Sequence, residues 1–364
     1  MHHGGLVAGA ACVSLLAAVL ASPPAAARAI ESVQLQLAVQ GVAAYPAYIA
    51  RHLGYFDEEG IEVEVVSGTC HHVPHVCRAS TKLVQQVSAG KVLIGWGVPA
   101  AILPPVARGE QLKFFYTYGV KSFFDLVVPD DSPISTVAGL RGKTVGITDL
   151  GYGELPFVRA VLGAAKLRPD DSVTIVGIDA QAPSMLASLR EGRVQALGGS
   201  VEELGLLHRA GFKGRSLSGG YRALPSSGIF VTERTFNDRR DLLVKVARPV
   251  ARATLFALTN PDAATAIMAQ LVPRQFVNVE AGRALFQTYL ELSTPQRSDS
   301  RGELVFGHAM TEGWERLQSI LLAGAQPVLE KRVDITAIVT GELVTEINRF
   351  DRETVRRRAR AFKP

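Results

Sequence analysis

LGYFDEEGIEVEVV, at residues 53–66, contains two glycines, an acidic turn and the start of an apolar strand. The glycines bracket the end of a helix predicted over 44–59, because glycine takes the left-handed backbone geometry of a helix end at little cost. The residues after the second glycine are typical of a strand over 61–67. With another strand predicted over 33–40, the stretch completes a strand, helix, strand unit of the kind that builds α/β folds.

Strands and helices continue to alternate after this unit, which predicts an α/β fold with largely parallel sheets. The same order of elements occurs in two series. The first series adds strands over 92–96 and 112–118 and helices near 81–89 and 99–108. The second series has strands over 124–128, 144–148, 173–178 and 194–198 and helices over 154–165, 184–191 and 201–210.

Long amphipathic helices follow a short strand at 228–232 and end the alternation. Five helices in a row do not extend a parallel sheet, so we expect them to pack on the first lobe. They are predicted over 238–259, 261–271, 279–292, 305–323 and 334–360, the last with breaks.

The simplest organisation is two Rossmann-like lobes joined by a two-strand hinge. Lobe 1 is built from residues 30–121 and 223–364, the second part carrying the extra C-terminal helices, and lobe 2 is inserted as residues 122–222. The chain crosses between the lobes near 119–124 and 222–228. The Gly and Ser residues of these crossings suit positions that absorb backbone rotation.

The first 29 residues are predicted to be a secretory signal peptide. An almost uncharged run from Leu6 to Leu20 is followed by small residues, with cleavage expected near Ala27 or Ala29. An uncleaved anchor is the alternative, although the run is shorter than the ~20 residues that span a bilayer. No later segment is long and apolar enough to cross a membrane, so we expect the mature protein in the periplasm.

The composition excludes several classes of protein. The 364 residues allow about two domains, and 47% hydrophobic with 20% charged residues excludes overall disorder. The net charge of +5 includes a basic run at 356–360 with no interleaved aromatic platform. We interpret that run as a solvated helix end and expect no nucleic-acid partner.

Five segments, in order, resemble those of a known family. Residues 53–66 look like the G-Y-F-x-x-E-G-hydrophobic-x-V segment of the nitrate, sulfonate, taurine and thiamine-precursor (NMT1/THI5-like) group of ABC-transporter substrate-binding proteins. The other matches lie at 89–95, 140–146, 189–196 and 260–264, so the resemblance covers about residues 33–275. Leu93 and Gln195 stand where the family often has Asp. The resemblance implies a periplasmic-binding-protein type II-like fold.

A ligand is expected beyond the carboxyl ends of the strands, where helix N-termini present unpaired N–H groups. From lobe 1 the candidate residues are Gln40, Ala44, Tyr45, Pro46, Ser67, Gly68, Thr69, Trp96, Gly97, Val98 and Tyr118. From lobe 2 and the return crossing they are Thr148, Asp149, Gly151, Tyr152, Gly153, Gly198, Gly199, Ser200, Ser226 and Ser227.

These candidates are rich in Gly, Ser, Thr and aromatic residues and poor in charge. Such a set suits a small polar or anionic ligand held by N–H and hydroxyl groups, with rings covering its apolar part. Core packing explains the aromatic rings equally well. A helix N-cap explains Asp149 equally well.

The most unusual stretch is CHHVPHVC at residues 70–77. Once the signal peptide is removed, Cys70 and Cys77 are the remaining cysteines, the number expected of one disulfide in an oxidising compartment. Zinc or copper binding with the three histidines, His71, His72 and His75, is an alternative, as are free thiols. Pro74 prevents one regular helix from presenting the histidines together, so we expect the disulfide and no metal or cofactor.

The family resemblance implies an extracytoplasmic solute-binding protein of an ABC importer. Its ligand would be a sulfonate, nitrate, aromatic acid or thiamine precursor, and its partners a membrane permease and an ATPase. We expect a monomer without enzymatic activity, because the chain has no G-x-S-x-G, H-E-x-x-H, P-loop or dinucleotide motif. The alternatives are an enzyme on the same scaffold, related to menaquinone-pathway or pyrimidine-synthase proteins, and a ligand-sensing module for a membrane receptor.

Overall fold

The computed structural model describes part of the chain and assigns it to two compact units, residues 1–30 and 31–364. All helices and strands named below belong to the second unit. The described residues are 1–4, 30–38, 41–67, 79–148, 154–168, 172–179, 181–219, 224–322 and 327–363.

Strands and helices alternate through the first two thirds of the chain, and helices dominate the last third. The strands are β1 (Glu31–Leu37), β2 (Ile61–Ser67), β3 (Ile94–Gly97), β4 (Leu112–Gly119), β5 (Phe124–Pro129), β6 (Thr144–Ile147), β7 (Thr174–Gly177), β8 (Ala196–Ser200), β9 (Gly214–Ser216) and β10 (Ser227–Thr232). The helices are α1 (Tyr45–His52), α2 (Tyr55–Glu58), α3 (Ala79–Ser88), α4 (Pro99–Ala107), α5 (Glu154–Ala164), α6 (Ala182–Arg190), α7 (Val201–Arg209), α8 (Glu233–Asp238), α9 (Arg240–Thr259), α10 (Pro261–Leu271), α11 (Val279–Ser293), α12 (Thr311–Leu321), α13 (Ile335–Ile338), α14 (Val344–Ile347) and α15 (Arg352–Ala361).

The strands form two five-stranded sheets with matching topology. Sheet A has the order β2-β1-β3-β10-β4, and sheet B has the order β7-β6-β8-β5-β9. The expected α/β architecture with two sheets is therefore confirmed. Strands β5 to β9 fall within residues 122–222, the segment predicted to form lobe 2, whose boundaries remain a prediction.

Each sheet is mixed, although a largely parallel arrangement was expected. In sheet A, β10 is antiparallel to both of its neighbours, and in sheet B so is β5. These are the strands that follow the two chain crossings. Because each enters its sheet at the edge where the other strands end, it must run in the opposite direction.

Both faces of each sheet are covered by apolar side chains. In β10, Ile229 and Val231 join one buried cluster while Phe230 joins another, so the two clusters lie on opposite faces. In β5 the same alternation separates Val127 from Leu126. Each fully buried side chain of this size stabilises the fold by about 1.5–3 kcal/mol.

Two of the predicted helices differ from those observed, and the breaks expected in the last one are present. The helix expected over 44–59 is divided into α1 and α2, because Gly54 takes a left-handed φ of 70° between them. The helix expected over 305–323 begins at Thr311, after Met310 with φ 53°. The last predicted helix is three short ones, since Thr340 leaves the helical path to donate its N–H to Phe114 O of β4 (3.1 Å).

The basic C-terminal helix is packed against the fold, which corrects its interpretation as a solvated end. Arg358 of α15 donates to Leu53 O (2.5 Å) and pairs with Glu58 (3.0 Å). The guanidinium groups of Arg358 and Arg252 lie over the ring of Tyr55, 4.9 and 4.1 Å from its centroid. These contacts fix α15 on the turn between α1 and α2.

Among the described residues, no helix combines the length and the apolar character that a membrane crossing requires.

Candidate ligand-binding cleft

The strand ends of the two sheets meet at the two chain crossings. In sheet A, Gly119 at the end of β4 pairs with Ser227 at the start of β10. In sheet B, Phe124 at the start of β5 pairs with Ser200 at the end of β8. The cleft at the crossings therefore lies at the carboxyl edge of the parallel strands, where α/β proteins bind their ligands.

Backbone hydrogen bonds hold both crossings in place. Ser226 N donates to Gly119 O (2.9 Å), which joins one crossing to the other. Val120 N donates to Leu292 O of α11 (2.9 Å), and Val201 N of α7 donates to Phe123 O (2.8 Å). The outgoing crossing is thus bonded to helices that belong to different sheets.

A cavity of about 280 Å³ opens beside these crossings. Its walls come from α3, one side of α4 along its length, the two crossings, α5, and α12 with the segment after it. They are mostly apolar, with Val98, Pro99, Leu224, Leu317 and Ile320 among the lining residues. A predominantly apolar cavity at the junction of two sheets is typical of a small-molecule site.

Three phenylalanine rings give the cavity its aromatic character. Phe123 and Phe124 come from the outgoing crossing, and Phe157 comes from α5. The rings of Phe124 and Phe157 lie 6.1 Å apart at 39°. Phe123 packs edge-on against Tyr289, with the ring centroids 5.7 Å apart. Together the rings present apolar faces and edges to whatever occupies the cavity.

Polar groups are few in this cavity. Ser226 lines it, and the buried Ser226 Oγ has no hydrogen-bond partner among the described atoms. No side chain caps α4, Pro99 has no N–H, and Ala101 N donates to Val98 O (3.1 Å), which leaves the Ala100 N–H of the first turn for an acceptor. Arg108 is the charged residue of the lining. The cavity can therefore bind an apolar ring and a small number of acceptor atoms.

Two buried carboxyl groups lie at the end of β6. Thr148 donates its N–H to Glu154 (2.9 Å), and its hydroxyl donates to Glu203 (2.5 Å). Glu203 also accepts from Ser200 N (2.8 Å), which completes the capping box of α7. This cluster connects the starts of α5 and α7 to the ends of β6 and β8.

The two carboxyl groups share a proton. Burial, followed by the hydrogen bond with Glu203, raises the pKa of Glu154 to about 9. Burial also acts to raise the pKa of Glu203, but hydrogen bonds from Glu154, Thr148 and Ser200 outweigh it and lower that pKa. At neutral pH Glu154 is therefore the protonated partner and donates to the Glu203 carboxylate.

Several predicted site residues lie outside the described part of the chain, and their predictions stand unchanged. The same holds for the predicted disulfide and for its metal-binding alternative. The residues concerned are Gln40, Gly68, Thr69, Cys70, His71, His72, His75, Cys77, Asp149, Gly151, Tyr152 and Gly153.

The predicted aromatic residues of sheet A form a buried cluster beneath the strand ends. Tyr118 lies edge-on to Trp96 at 4.9 Å and to Tyr45 at 5.8 Å. Trp96 Nε1 donates to Ser227 Oγ (2.8 Å). Ala44 and Pro46 are buried beside them, and Ser67 ends β2. These rings are therefore part of the core, which was the alternative explanation for their presence at the strand ends.

The predicted glycines are required by packing. A Cβ on Gly198 would lie 2.5 Å from Val158, and one on Gly97 would lie 3.0 Å from Phe230. A Cβ on Gly199 would lie 3.2 Å from Leu204. Ser200 caps α7.

Of the described candidates, Val98 and Ser226 line the cavity. The sequence interpretation missed the three phenylalanines and α12. The Phe123-Phe124 pair directly after the crossing was an available signal, because aromatic rings at a hinge face the cleft that the hinge borders. Nothing in the sequence placed α12 beside that hinge.

Comparison with known proteins assigns the chain to a family. The model of the family described as NMT1/THI5 like matches residues 43–264, more than half of the chain. The chain belongs to the NMT1/THI5-like family. A relative from Chloroflexus aurantiacus, the riboflavin-binding protein RibY, is 25% identical over 310 residues, covering 82% of each chain.

Solved structures with this fold include binding proteins and an enzyme. The putative periplasmic sulfonate-binding protein SsuA from Methylobacillus flagellatus superposes with a TM-score of 0.63 at 14% identity, covering 87% of this chain and 94% of that one. The desulfurization enzyme DSZB superposes with a TM-score of 0.55 at 19% identity, covering 87% and 98%. At these identities, the similarity between these structures and this protein is a similarity of fold.

Proposed function

We propose that this protein is an extracytoplasmic solute-binding protein that captures a planar, largely apolar organic molecule bearing polar acceptor groups. The observation that carries the proposal is the aromatic cavity at the two crossings, with walls from elements of both sheets. Ligand contacts made from both sides favour a closed arrangement of the lobes over an open one. Binding by closure requires no catalytic group.

The lining favours a heteroaromatic ligand over a simple sulfonate or nitrate. Rings of Phe124 and Phe157 provide aromatic contact area, whereas Arg108 is exposed and is the one cation among the described residues of the lining. A small hydrated anion would gain little from such walls. A flavin-like ring, with carbonyl oxygens for the Ser226 hydroxyl and the Ala100 N–H, matches them, and the relative RibY is named as a riboflavin-binding protein.

The remaining parts of the proposal follow from this role. Residues 1–29 are a signal peptide cleaved near Ala27 or Ala29, and the mature monomer is periplasmic. Lobe 1 consists of residues 30–121 and 223–364, and lobe 2 of residues 122–222. The closed protein delivers its ligand to the permease and ATPase of an ABC importer.

Riboflavin titration of the secreted protein tests the proposal. We expect saturable quenching of flavin fluorescence, and the Phe157→Ala variant should bind about tenfold more weakly because it loses an aromatic contact worth ~1.4 kcal/mol. Phe350→Ala is the matched control, since Phe350 packs against Phe306 in the C-terminal region.

Two outcomes would contradict the proposal. Equal affinities of the Phe157→Ala and native proteins would place the ligand elsewhere. Conversion of a bound molecule to a product, detected by mass spectrometry, would establish an enzyme on this scaffold.

A further inference from the structure

A second cavity, of about 70 Å³, lies beside the end of β4. It shares no lining residue with the cleft cavity. Its walls come from the end of β4, from α9 and α11, and from the segment 295–310. Tyr118 and Val120 line it, so it borders the outgoing crossing. The ligand-binding role proposed above makes no use of it.

The inner wall of this cavity carries hydroxyl groups. Thr117 and Tyr118 are each 3% exposed, and neither hydroxyl has a hydrogen-bond partner among the described atoms. Thr254 and Ser293 add two more hydroxyls, which donate to Val250 O (2.9 Å) and Leu290 O (3.1 Å). Buried hydroxyl groups in folded proteins are nearly always hydrogen-bonded, so two unpartnered ones in one cavity call for an acceptor there.

The tyrosine hydroxyls of the lining can act only as neutral donors or acceptors. Burial raises the pKa of Tyr116 and of Tyr118 far above the ordinary value of 10. Both therefore keep their protons at neutral pH. An acceptor in the cavity meets O–H groups and no phenolate charge.

Donors also occupy the mouth of the cavity. His308 Nδ1 accepts from Met310 N (2.7 Å), which places the proton of a neutral ring on Nε2. Arg297 Nη1 lies against that Nε2, so the guanidinium and the imidazole stand together at the mouth. Among the described residues, Arg297 has no ion pair and no carboxylate lines the cavity.

We propose that this second cavity binds a small monovalent anion. The hydroxyls of Thr117 and Tyr118 donate to it from inside, and Arg297 and His308 donate from the mouth. A volume of about 70 Å³ holds on the order of five water-sized atoms, which is room for formate, nitrate or a halide. Arg297 supplies one positive charge, which matches a monovalent anion and leaves the second charge of sulfate uncompensated. The mixed hydroxyl and guanidinium donor set is suited to such an anion.

Crystals of the full chain grown with sodium bromide provide the direct test. We expect an anomalous difference peak within hydrogen-bonding distance of Thr117 Oγ1 and the Tyr118 hydroxyl. A cavity occupied by water alone, with no anomalous peak at high bromide, would overturn the proposal.

Formate titration at constant ionic strength, balanced with sodium sulfate, tests it in solution. The thermal midpoint of the native protein should rise with formate, and the apparent affinity should fall at least tenfold in Arg297→Gln and in Tyr118→Phe. Arg234→Gln is the charge-matched control, because Arg234 is exposed on α8 and pairs with Asp238. Equal formate responses in Arg297→Gln and Arg234→Gln would overturn the proposal, whatever the outcome of the riboflavin titration.

Discussion

At the scale of single residues, the shared proton of Glu154 and Glu203 links the cleft edge to pH. The folded chain gives Glu154 a pKa of about 9 against an ordinary value of 4.5. Between these values the folded chain keeps a proton that the unfolded chain releases, so the free energy of unfolding falls as the pH rises. The lowered pKa of Glu203 acts with the opposite sign, and its effect is confined to pH below 4.5.

The substitution Glu154→Gln tests this linkage. The amide keeps a donor toward Glu203 but does not titrate, so the loss of stability between about pH 5 and about pH 8.5 should shrink by on the order of 4 kcal/mol. Urea unfolding at the two pH values measures the difference. A residual slope of the same sign is expected from Glu202, whose pKa is also raised by burial.

Glu280→Gln is the control for this experiment, because Glu280 is exposed in the first turn of α11. It should leave the pH dependence of the native protein unchanged. If Glu154→Gln reproduces the native slope as well, the two carboxyl groups do not share a proton.

At the scale of elements, α15 shows how a charged helix end becomes part of the fold. Its Arg358 donates to Leu53 O, the carbonyl that follows α1, and its guanidinium lies over the ring of Tyr55 at the start of α2. Cation and ring contacts of this kind contribute about 0.5–2 kcal/mol each. The C-terminal helix is therefore tied to the turn that the LGYFDEEG sequence encodes.

Removal of this contact should be measurable as a loss of stability. Arg358→Ala is expected to reduce the free energy of unfolding by about 1–3 kcal/mol, because Leu53 O loses its donor while Glu58 and the Tyr55 ring each lose one of two arginine contacts and keep Arg252. Arg360→Ala is the matched substitution on the same helix, where the side chain is exposed and pairs with Glu353 alone (3.4 Å). Its expected cost is below ~0.5 kcal/mol. Equal losses of unfolding free energy in Arg358→Ala and Arg360→Ala, measured by chemical unfolding, would contradict the packing of α15.

The pair of crossing strands gives a second test at this scale. A Cβ on Gly119 would lie 2.3 Å from Ser226 Oγ and 3.1 Å from Ser227 N, so Gly119→Ala must separate the two crossings. We expect ligand affinity to fall by at least about tenfold. Gly219→Ala, on the return connection with open space around it, should bind as the native protein does. Isothermal titration of both variants with riboflavin measures the two affinities. Unaltered binding by Gly119→Ala would contradict the role of the paired crossings.

The sequence predicted elements better than it predicted the site, for a physical reason. The spacing of apolar residues and the turn residues are local features of the sequence. They therefore predicted the strand at 61–67 and the helix starting at Pro261 at their observed positions. The rule that ligands bind at strand ends located the edge of each sheet at which the cavity lies. It could not distinguish side chains that fill the core beneath that edge, such as Trp96, from those that line the cavity. The cavity walls from α12 depend on contacts between segments about 200 residues apart, which no local pattern encodes.

At the scale of the whole molecule, the two sheets are joined by more than the crossings. The Tyr289 hydroxyl of α11 donates to Glu202 of α7 (3.0 Å), and α5 contacts α12. These contacts connect helices of sheet A with helices of sheet B beside the aromatic cavity. A protein that captures a ligand by closure has its two lobes in contact in this way when the cleft is shut.

A crystal structure of the secreted protein, isolated with the ligand that it retains, tests the proposed ligand-binding role most directly. We expect ligand density against the rings of Phe124 and Phe157 and the start of α4, with an acceptor atom at Ser226 Oγ. Ligand density at any other surface, with the protein's own side chains occupying that cavity, would contradict it.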